Sequence, residues 1–117
     1  MVKINAFIYL DQIRQTMLAL PGVNEGTCFG TPAFYVNKKL LARLKEDGET
    51  LMVHTEVREI WMKKNPDIFF VTDHYLNYPS MLIRLAKVKP KDLKQLLTDA
   101  WKKRANKTQL KDFPRKS

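Results

Sequence analysis

Hydrophobic positions along the chain follow two spacings, which predict a helix near each end and strands between them. Residues 5–19 predict an amphipathic helix with Asn5 as its N-cap. A second helix is predicted from Pro90, which suits a first helical turn, to about Asn106. The apolar positions that repeat every three or four residues are Leu10, Ile13, Met17 and Leu20 in the first helix, and Leu93, Leu96, Leu97, Ala100 and Trp101 in the last.

Between these helices, short apolar runs separated by turn residues predict strands. Pro21-Gly22 ends the first helix, and Asn37-Lys38 and Asp47-Gly48 predict two tight hairpin turns. The expected strands cover residues 27–30, 33–36, 39–45, 51–54, 68–71 and 80–86. Antiparallel strands joined by tight turns form a meander, so the chain predicts an α+β fold: a single-domain antiparallel sheet with helices packed on one face.

The alternation of side chains along residues 39–45 predicts which of them share a face of the strand. One face is expected to carry Leu40, Ala42 and Leu44, and the other Leu41, Arg43 and Lys45. A short helix is predicted over residues 56–64, with Thr55 as its cap and Asn65-Pro66 as its end. Its apolar stripe is Val57, Ile60 and Trp61.

The composition is that of one ordinary globular domain, with 117 residues, 44% of them hydrophobic and 28% charged. Cys28 is the single cysteine, which excludes an intramolecular disulfide, and we expect its thiol to be buried and inert. The apolar run over residues 6–10 is too short for a signal peptide or a membrane span. We therefore expect a cytoplasmic protein, monomeric and without a cofactor.

The net charge of +9 is concentrated near the carboxyl end, because residues 102–117 hold seven basic side chains and one acidic. The preceding residues are only mildly basic. We expect a domain over residues 1–106 and a basic, mobile tail over 107–117. Such a tail either binds nucleic acid through counterion release or only solubilises the protein. Alternatively, Leu110 and Phe113 dock it on the domain.

Several short motifs in a fixed order resemble the MmcQ/YjbR-like family of small bacterial proteins over residues 5–105. They are Leu20-Pro21-Gly22-Val23, Phe29-Gly30, Pro32-Ala33-Phe34, Lys39, Ala42-Arg43-Leu44, Thr72-Asp73-His74-Tyr75, Tyr78-Pro79, Arg84-Leu85, Leu96-Leu97 and Ala100-Trp101. The resemblance implies a frataxin-like α+β sandwich. It also implies DNA binding in a double-wing mode, in which hairpins contact the DNA. None of the motifs is a catalytic signature, and we expect no enzyme activity.

Basic residues on the predicted sheet are candidates for contacts with DNA phosphates. Lys38 and Lys39 lie at a hairpin tip, where a wing would present them. A basic stripe on the exposed sheet face is expected from Arg43, Lys45, Arg84 and Lys87. The alternative is an ordinary solvated sheet face. The second hairpin opposes the double-wing mode, since Glu46, Asp47 and Glu49 make its tip acidic and would repel phosphates.

The polar and aromatic segment over residues 72–79 indicates a different function, a small-ligand or protein-interaction site. The residues expected around it are Arg43, Trp61, His74, Tyr75 and Tyr78. The aromatic side chains would stack on an exposed base or line a pocket, or they serve only structure. Trp61 and Trp101 also fit core positions. His54, Glu56, Asp73 and His74 lack the spacing of a metal motif, and we expect no metal.

Overall fold

The computed structural model describes residues 4–113, with side chains from residue 7 onward. Its elements in chain order are α1 (Ile4–Met17), β1 (Val23–Cys28), β2 (Thr31–Val36), β3 (Lys39–Leu44), β4 (Thr50–His54), α2 (Arg58–Lys64), β5 (Phe69–Phe70), a 3-10 turn (Asp73–Tyr75), β6 (Ser80–Arg84), α3 (Pro90–Arg104) and α4 (Lys107–Lys111). The strands form one antiparallel sheet in the order β1-β2-β3-β4-β6-β5. The helices cover one face of it, which confirms the predicted α+β fold.

The core lies between this sheet face and the apolar stripes of α1 and α3. Every residue predicted for the two stripes is buried. Trp101 is fully buried, and its indole Nε1 donates a hydrogen bond of 2.7 Å to the carbonyl of Pro21, where α1 turns into β1. No helix within residues 4–113 is both long and apolar enough to cross a membrane.

The ends of two elements differ from the predictions. Helix α1 already includes Ile4, so Asn5 lies inside the helix, and its prediction as the N-cap is wrong. Strand β1 begins at Val23 because it pairs along its whole length with β2, from Val23 opposite Val36 to Cys28 opposite Thr31. Pairing across strands thus extends a segment whose own sequence, with Gly26 inside it, is a weak strand former.

A β-bulge in β3 changes which leucine faces the core. Phe34 pairs with Ala42, but the next residue of β2, Tyr35, pairs with Leu40, which leaves Leu41 as the extra residue. Leu41 is fully buried in the core, whereas Leu40 turns to the opposite face of the sheet. The strict alternation predicted for this strand is therefore wrong at Leu40 and Leu41, and it holds from Ala42 onward.

Both predicted hairpin turns are present. Asn37 and Lys38 have positive φ angles of 51° and 68°, which suit the twist of a two-residue hairpin. The amide of Asn37 holds this turn in place through bonds to the carbonyl of Arg104 and to the side chain of Gln109. In the second turn Gly48 has a φ of 71°, and its N–H donates to the carbonyl of Lys45.

Helix α2 is shorter than predicted and buries less of its stripe. It begins at Arg58 and ends at Lys64, just before Asn65-Pro66 as expected. The hydroxyl of Thr55 accepts a bond from the N–H of Val57, but Val57 occupies the capping position. Only Trp61 of the predicted stripe is buried, while Val57 and Ile60 are 47% and 66% exposed.

The segment after residue 106 differs from a mobile tail. Asn106 and Gln109 form a reciprocal capping box that starts α4, and the ring of Phe113 packs 5.0 Å from that of Trp101. The structure thus follows the alternative expectation for Phe113, whereas Leu110 remains 39% exposed. Capping and ring burial together explain why a polar, basic sequence is packed on the domain. Residues 114–117 lie outside the described residues.

Two glycines test how firmly α4 is docked. Gly22 and Gly30 have nearly equal φ angles of 78° and 80°, so Ala at either position costs about 1–2 kcal/mol of backbone strain. A Cβ on Gly22 would also clash with the side-chain amide of Gln109, whereas a Cβ on Gly30 meets nothing within 4 Å. We expect Gly22→Ala to lower the free energy of unfolding by about 1 kcal/mol more than Gly30→Ala.

Urea denaturation of both variants measures this difference. Amide exchange provides the second measurement, since only Gly22→Ala should increase the exchange of α4 amides. Equal stability losses and equal exchange would mean that the contact between Gln109 and the β2–β3 turn contributes nothing.

Candidate functional site

The sheet face opposite the helices, here called the open face, carries a pocket of about 510 Å³. Its floor comes from side chains of β3 and β4, namely Leu40, Arg43, Met52 and His54. Phe29 forms one wall, and the segment over residues 72–79 supplies the other with His74, Tyr75 and Tyr78. Lys39 and Arg104 also line it. The open face is therefore concave and partly covered, not a flat solvated sheet.

Arg43 lies on the pocket floor and is only 3% exposed. Its Nε donates to the carbonyl of Cys28 at 2.9 Å, and its Nη2 donates to the carboxylate of Glu46. The pKa of Glu46 is lowered, first by a hydrogen bond from its own backbone and then by Arg43. Because Arg43 is this buried, the prediction that it belongs to an exposed basic stripe is wrong.

The register of the strands separates the other residues of the predicted stripe. Lys39 pairs with Val36 at one end of the sheet. Arg84 pairs with Thr50 at the other end, where Lys45 follows β3, and Lys87 lies in the exposed turn after β6. The cations therefore form no continuous stripe. Arg84 lies 4.4 Å over the ring of Phe70, and Lys45 Nζ donates to the hydroxyl of Tyr75 at 2.9 Å.

Arg58 of α2 fixes the segment over residues 72–79. Its guanidinium donates to four backbone carbonyls, those of Tyr75, Leu76, Tyr78 and Ser80, at 2.6–2.9 Å. Charge-assisted bonds of this kind tie several carbonyls of an irregular segment to one side chain. The sequence does not reveal this role, because the four acceptors lie 17–22 residues away and no local motif signals them.

The segment that Arg58 holds brings three of the predicted pocket residues together. His74 packs edge-on against Tyr75, with ring centroids 4.8 Å apart, and Tyr78 is 58% exposed. Trp61, the fourth, does not line the pocket. It packs against Phe69 in the core, with ring centroids 5.2 Å apart, because the side of α2 that carries Trp61 faces the core. Its assignment to the pocket is wrong, and the core alternative is confirmed.

Phe29 is absent from the predicted site residues, although it is the most exposed large hydrophobic side chain among those described, at 86%. Its φ of 52° is unfavourable for a side chain with a Cβ and costs of order 1 kcal/mol. The guanidinium of Arg43 lies 5.1 Å from its ring centroid. An aromatic residue before Gly30 in a tight turn is the signal that the sequence offers. Cys28 beside it is half-buried and lines the pocket, so the prediction that its thiol is buried is wrong.

His54 and Arg104 meet at the end of the pocket. Arg104 Nη2 donates a hydrogen bond of 3.1 Å to His54 Nδ1, and His54 is 8% exposed. Burial and then the charge of Arg104 lower the pKa of His54, Lys103 adds to this, and Glu56 opposes it. Arg104 Nε is buried without a hydrogen-bond partner among the described residues. Within residues 4–113 no three His, Cys, Asp or Glu side chains cluster as a metal site.

A group of cations, here called the basic end, lies where the β2–β3 turn meets the end of α3. Asn37 Nδ2 donates to the carbonyl of Arg104 at 3.0 Å, and Asn37 and Gln109 also exchange hydrogen bonds through their amides. The basic end comprises Lys38, Lys39, Lys102, Lys103, Arg104 and Lys107. The fold thus places the β2–β3 turn against the end of α3, although the two are distant in sequence.

Together these features define an α+β domain with a six-stranded antiparallel sheet, helices on one face and a ligand-sized pocket on the other. A protein-family model described as YjbR matches residues 18–103, and the chain belongs to the YjbR family. The resemblance drawn from the sequence motifs is therefore confirmed at the level of the family.

Similar proteins support the fold and add no activity. Uncharacterized protein Mb2600 of Mycobacterium bovis and Uncharacterized protein Rv2570 of Mycobacterium tuberculosis are each 40% identical over 48 residues, which make up 41% of this chain and 37% of the relative. The match thus spans little more than a third of those relatives. The crystal structure of Deinococcus radiodurans protein DR2400, a DUF419 domain, has a TM-score of 0.71 and 20% identity, covering 88% of this chain and 86% of that one.

The role of Arg58 is testable with a matched arginine. We expect Arg58→Met to lower the free energy of unfolding by about 2–3 kcal/mol, because four backbone carbonyls lose the charged donor of a largely buried arginine. Arg14→Met removes an arginine whose side chain is 44% exposed and bonded to Glu25, and should cost less than about 1 kcal/mol. Urea denaturation gives both values. Unchanged amide exchange over residues 72–80 in Arg58→Met would contradict the role in fixing that segment.

His54 predicts a pH dependence of stability. Because its pKa in the folded protein lies below the ordinary 6.5, the unfolded chain takes up a proton on His54 at higher pH than the folded chain does. The free energy of unfolding should therefore fall as the pH decreases through about 6.5. Denaturation at pH 8, 7, 6 and 5 measures it, and His54→Gln should flatten this part of the profile. Identical slopes for both proteins would contradict the lowered pKa.

Proposed function

We propose that the protein binds nucleic acid through its basic end, as a cytoplasmic monomer that contacts backbone phosphates and catalyses no reaction. The observation that carries this proposal is the set of hydrogen bonds from Asn37 to Arg104 and Gln109. They bring the exposed hairpin lysines beside the last turn of α3, so that cations from two parts of the chain share one surface. Clustered cations of this kind gain affinity by releasing counterions from the phosphate backbone.

The distribution of charge over the sheet supports this surface. Strand β3 runs from Lys39 at the basic end to Leu44 over about 17 Å, and the acidic turn over residues 46–49 follows it at the opposite end. That distance exceeds the Debye length of about 8 Å at physiological salt. Among the described cations of the basic end, Lys103 has an acidic neighbour, with Nζ 3.6 Å from Glu56, but both side chains are more than half exposed.

The mode of contact differs from two equivalent wings. The β2–β3 hairpin carries Lys38 and Lys39 and serves as one wing, whereas the β3–β4 hairpin carries the acidic turn and lies at the other end of the sheet. The corner between α3 and α4, with Lys102, Lys103 and Lys107, takes the place of the second wing. Because these groups contact phosphates and no base edges, the binding is expected to be independent of sequence.

Small-ligand binding is the second candidate function, and the pocket on the open face is the observation that favours it. Its volume of about 510 Å³ lies within the range of sites for small organic ligands. Convergent polar groups from Arg43, His54 and Arg104 are typical of such sites, whereas a protein-interaction surface is usually flatter.

The first proposal is tested by removing three cations from the basic end. Lys38→Gln, Lys102→Gln and Lys103→Gln together should weaken binding to mixed-sequence DNA, because the variant neutralises fewer phosphates and so releases fewer counterions. The slope of log affinity against log salt should become shallower by about 0.9 for each phosphate that the variant no longer neutralises. Fluorescence anisotropy at 50, 100 and 200 mM salt measures both quantities.

The matched control is Arg84→Gln, Lys87→Gln and Lys91→Gln, which removes the same charge near the start of α3. It includes two residues of the stripe expected from the sequence and should leave the affinity nearly unchanged. If both triple variants weaken binding equally, net charge alone explains the affinity and the basic end has no special role. Wild-type binding that ignores salt would overturn the proposal outright.

A further inference from the structure

We propose that the pocket on the open face takes a single nucleotide, with its base against the aromatic walls and its phosphate near Arg43 and Arg104. This inference deepens the proposed function. It rests on that function if the nucleotide is part of a nucleic-acid strand that is also bound at the basic end. A nucleotide combines a planar ring with an anionic group, and the pocket offers a partner for each.

The charge of the pocket favours an anion. Three cationic side chains line it, those of Lys39, Arg43 and Arg104, and none of the described lining residues is acidic. Glu46 partly balances Arg43 from outside the pocket. The buried Arg104 Nε has no partner within the described chain, although such a donor normally finds one. An anionic oxygen at this end of the pocket would gain charge-assisted hydrogen bonds.

The aromatic walls favour a planar ring. Phe29 is 86% exposed and has an unfavourable φ angle. Backbone strain of this kind is common at ligand-binding sites. Tyr78, opposite it, is 58% exposed, and Arg58 fixes the backbone around it through four carbonyls. Rings presented on a rigid backbone stack on bases at low entropic cost, and such stacking favours binding even without base-specific hydrogen bonds.

Other occupants fit less well. An apolar ligand would leave the buried Arg104 Nε without a hydrogen-bond partner. Inorganic phosphate alone would leave the aromatic walls and most of the volume unused. A base stacked inside a duplex cannot enter a pocket unless it is first unpaired and extruded. The two remaining sources, a free mononucleotide and a nucleotide of a single strand, share the chemistry that the pocket recognises.

The experiment titrates the full chain with adenosine 5′-monophosphate, adenosine, inorganic phosphate, a single-stranded oligonucleotide and a duplex, followed by NMR amide shifts. We expect saturable shifts with the monophosphate at residues 28–30, 43 and 74–80. Adenosine and phosphate should each bind at least tenfold more weakly, because each engages one half of the site. Shifts with the monophosphate that are no larger than those with phosphate would overturn the proposal.

Phe29→Gly is the decisive variant, since it removes the stacking ring and relaxes the backbone at a positive φ, so that the protein should remain folded. It should weaken monophosphate binding about tenfold or more, as the loss of one stacked ring implies. Phe7→Ala removes another exposed phenylalanine, 63% exposed on α1, and should change nothing. Arg104→Gln should weaken the monophosphate more than adenosine. If Phe29→Gly binds the monophosphate as tightly as the wild type, the proposal is wrong.

The arms of the titration separate this proposal from the proposed function. The triple variant Lys38→Gln, Lys102→Gln and Lys103→Gln contains no pocket residue, so it should lose duplex binding and keep monophosphate binding. If the triple variant loses duplex binding but the wild type binds no monophosphate, the nucleotide pocket is refuted and the proposed binding of nucleic acid at the basic end stands. If the single strand binds more tightly than the monophosphate, and both the pocket variants and the triple variant weaken it, the nucleotide belongs to a strand. If the single strand and the monophosphate bind with equal affinity, the ligand is a free nucleotide.

Discussion

The burial of Trp101 is the constraint on which the arrangement of both candidate surfaces depends. Its fully buried ring packs against Phe113, and its indole N–H bonds the carbonyl of Pro21. One side chain therefore joins the end of α3, the turn into β1 and the segment that follows α4. Since Arg104 lies about one turn after Trp101, this anchor determines where the guanidinium of Arg104 meets His54 and where the basic end begins.

The open face adds a second packed layer to the sheet. Met52 and Leu82 are 6% and 3% exposed yet lie outside the core cluster, so their burial comes from the open side. An irregular segment over residues 72–79 can cover this side only if its carbonyls are satisfied, and Arg58 satisfies four of the carbonyls in and beside it. The pocket is thus the space left between this cover and Phe29.

The spacing of apolar residues predicts those helices and strands that bury one face against the core. The stripes of α1 and α3, the two hairpin turns and the end of α2 at Asn65-Pro66 all follow from residues close in sequence. The bulge at Leu41 does not, because only pairing with β2 reveals the extra residue. The same limit applies to the pocket. Arg58 and Arg104 bond to partners that are far away in sequence. Trp61 faces the core because of how α2 packs on the sheet, and the spacing of apolar residues alone does not predict that packing.

The acidic turn over residues 46–49 has a structural role that its sequence does not indicate, because it neutralises the buried guanidinium of Arg43. A buried charge is costly unless it is paired, and Glu46 at the start of this turn pairs with Arg43 while remaining mostly exposed itself. Asp47 holds the turn closed through bonds from the backbone of Glu49 and Thr50. The acidic hairpin, unsuited to be a wing, is therefore the counterion of the pocket floor.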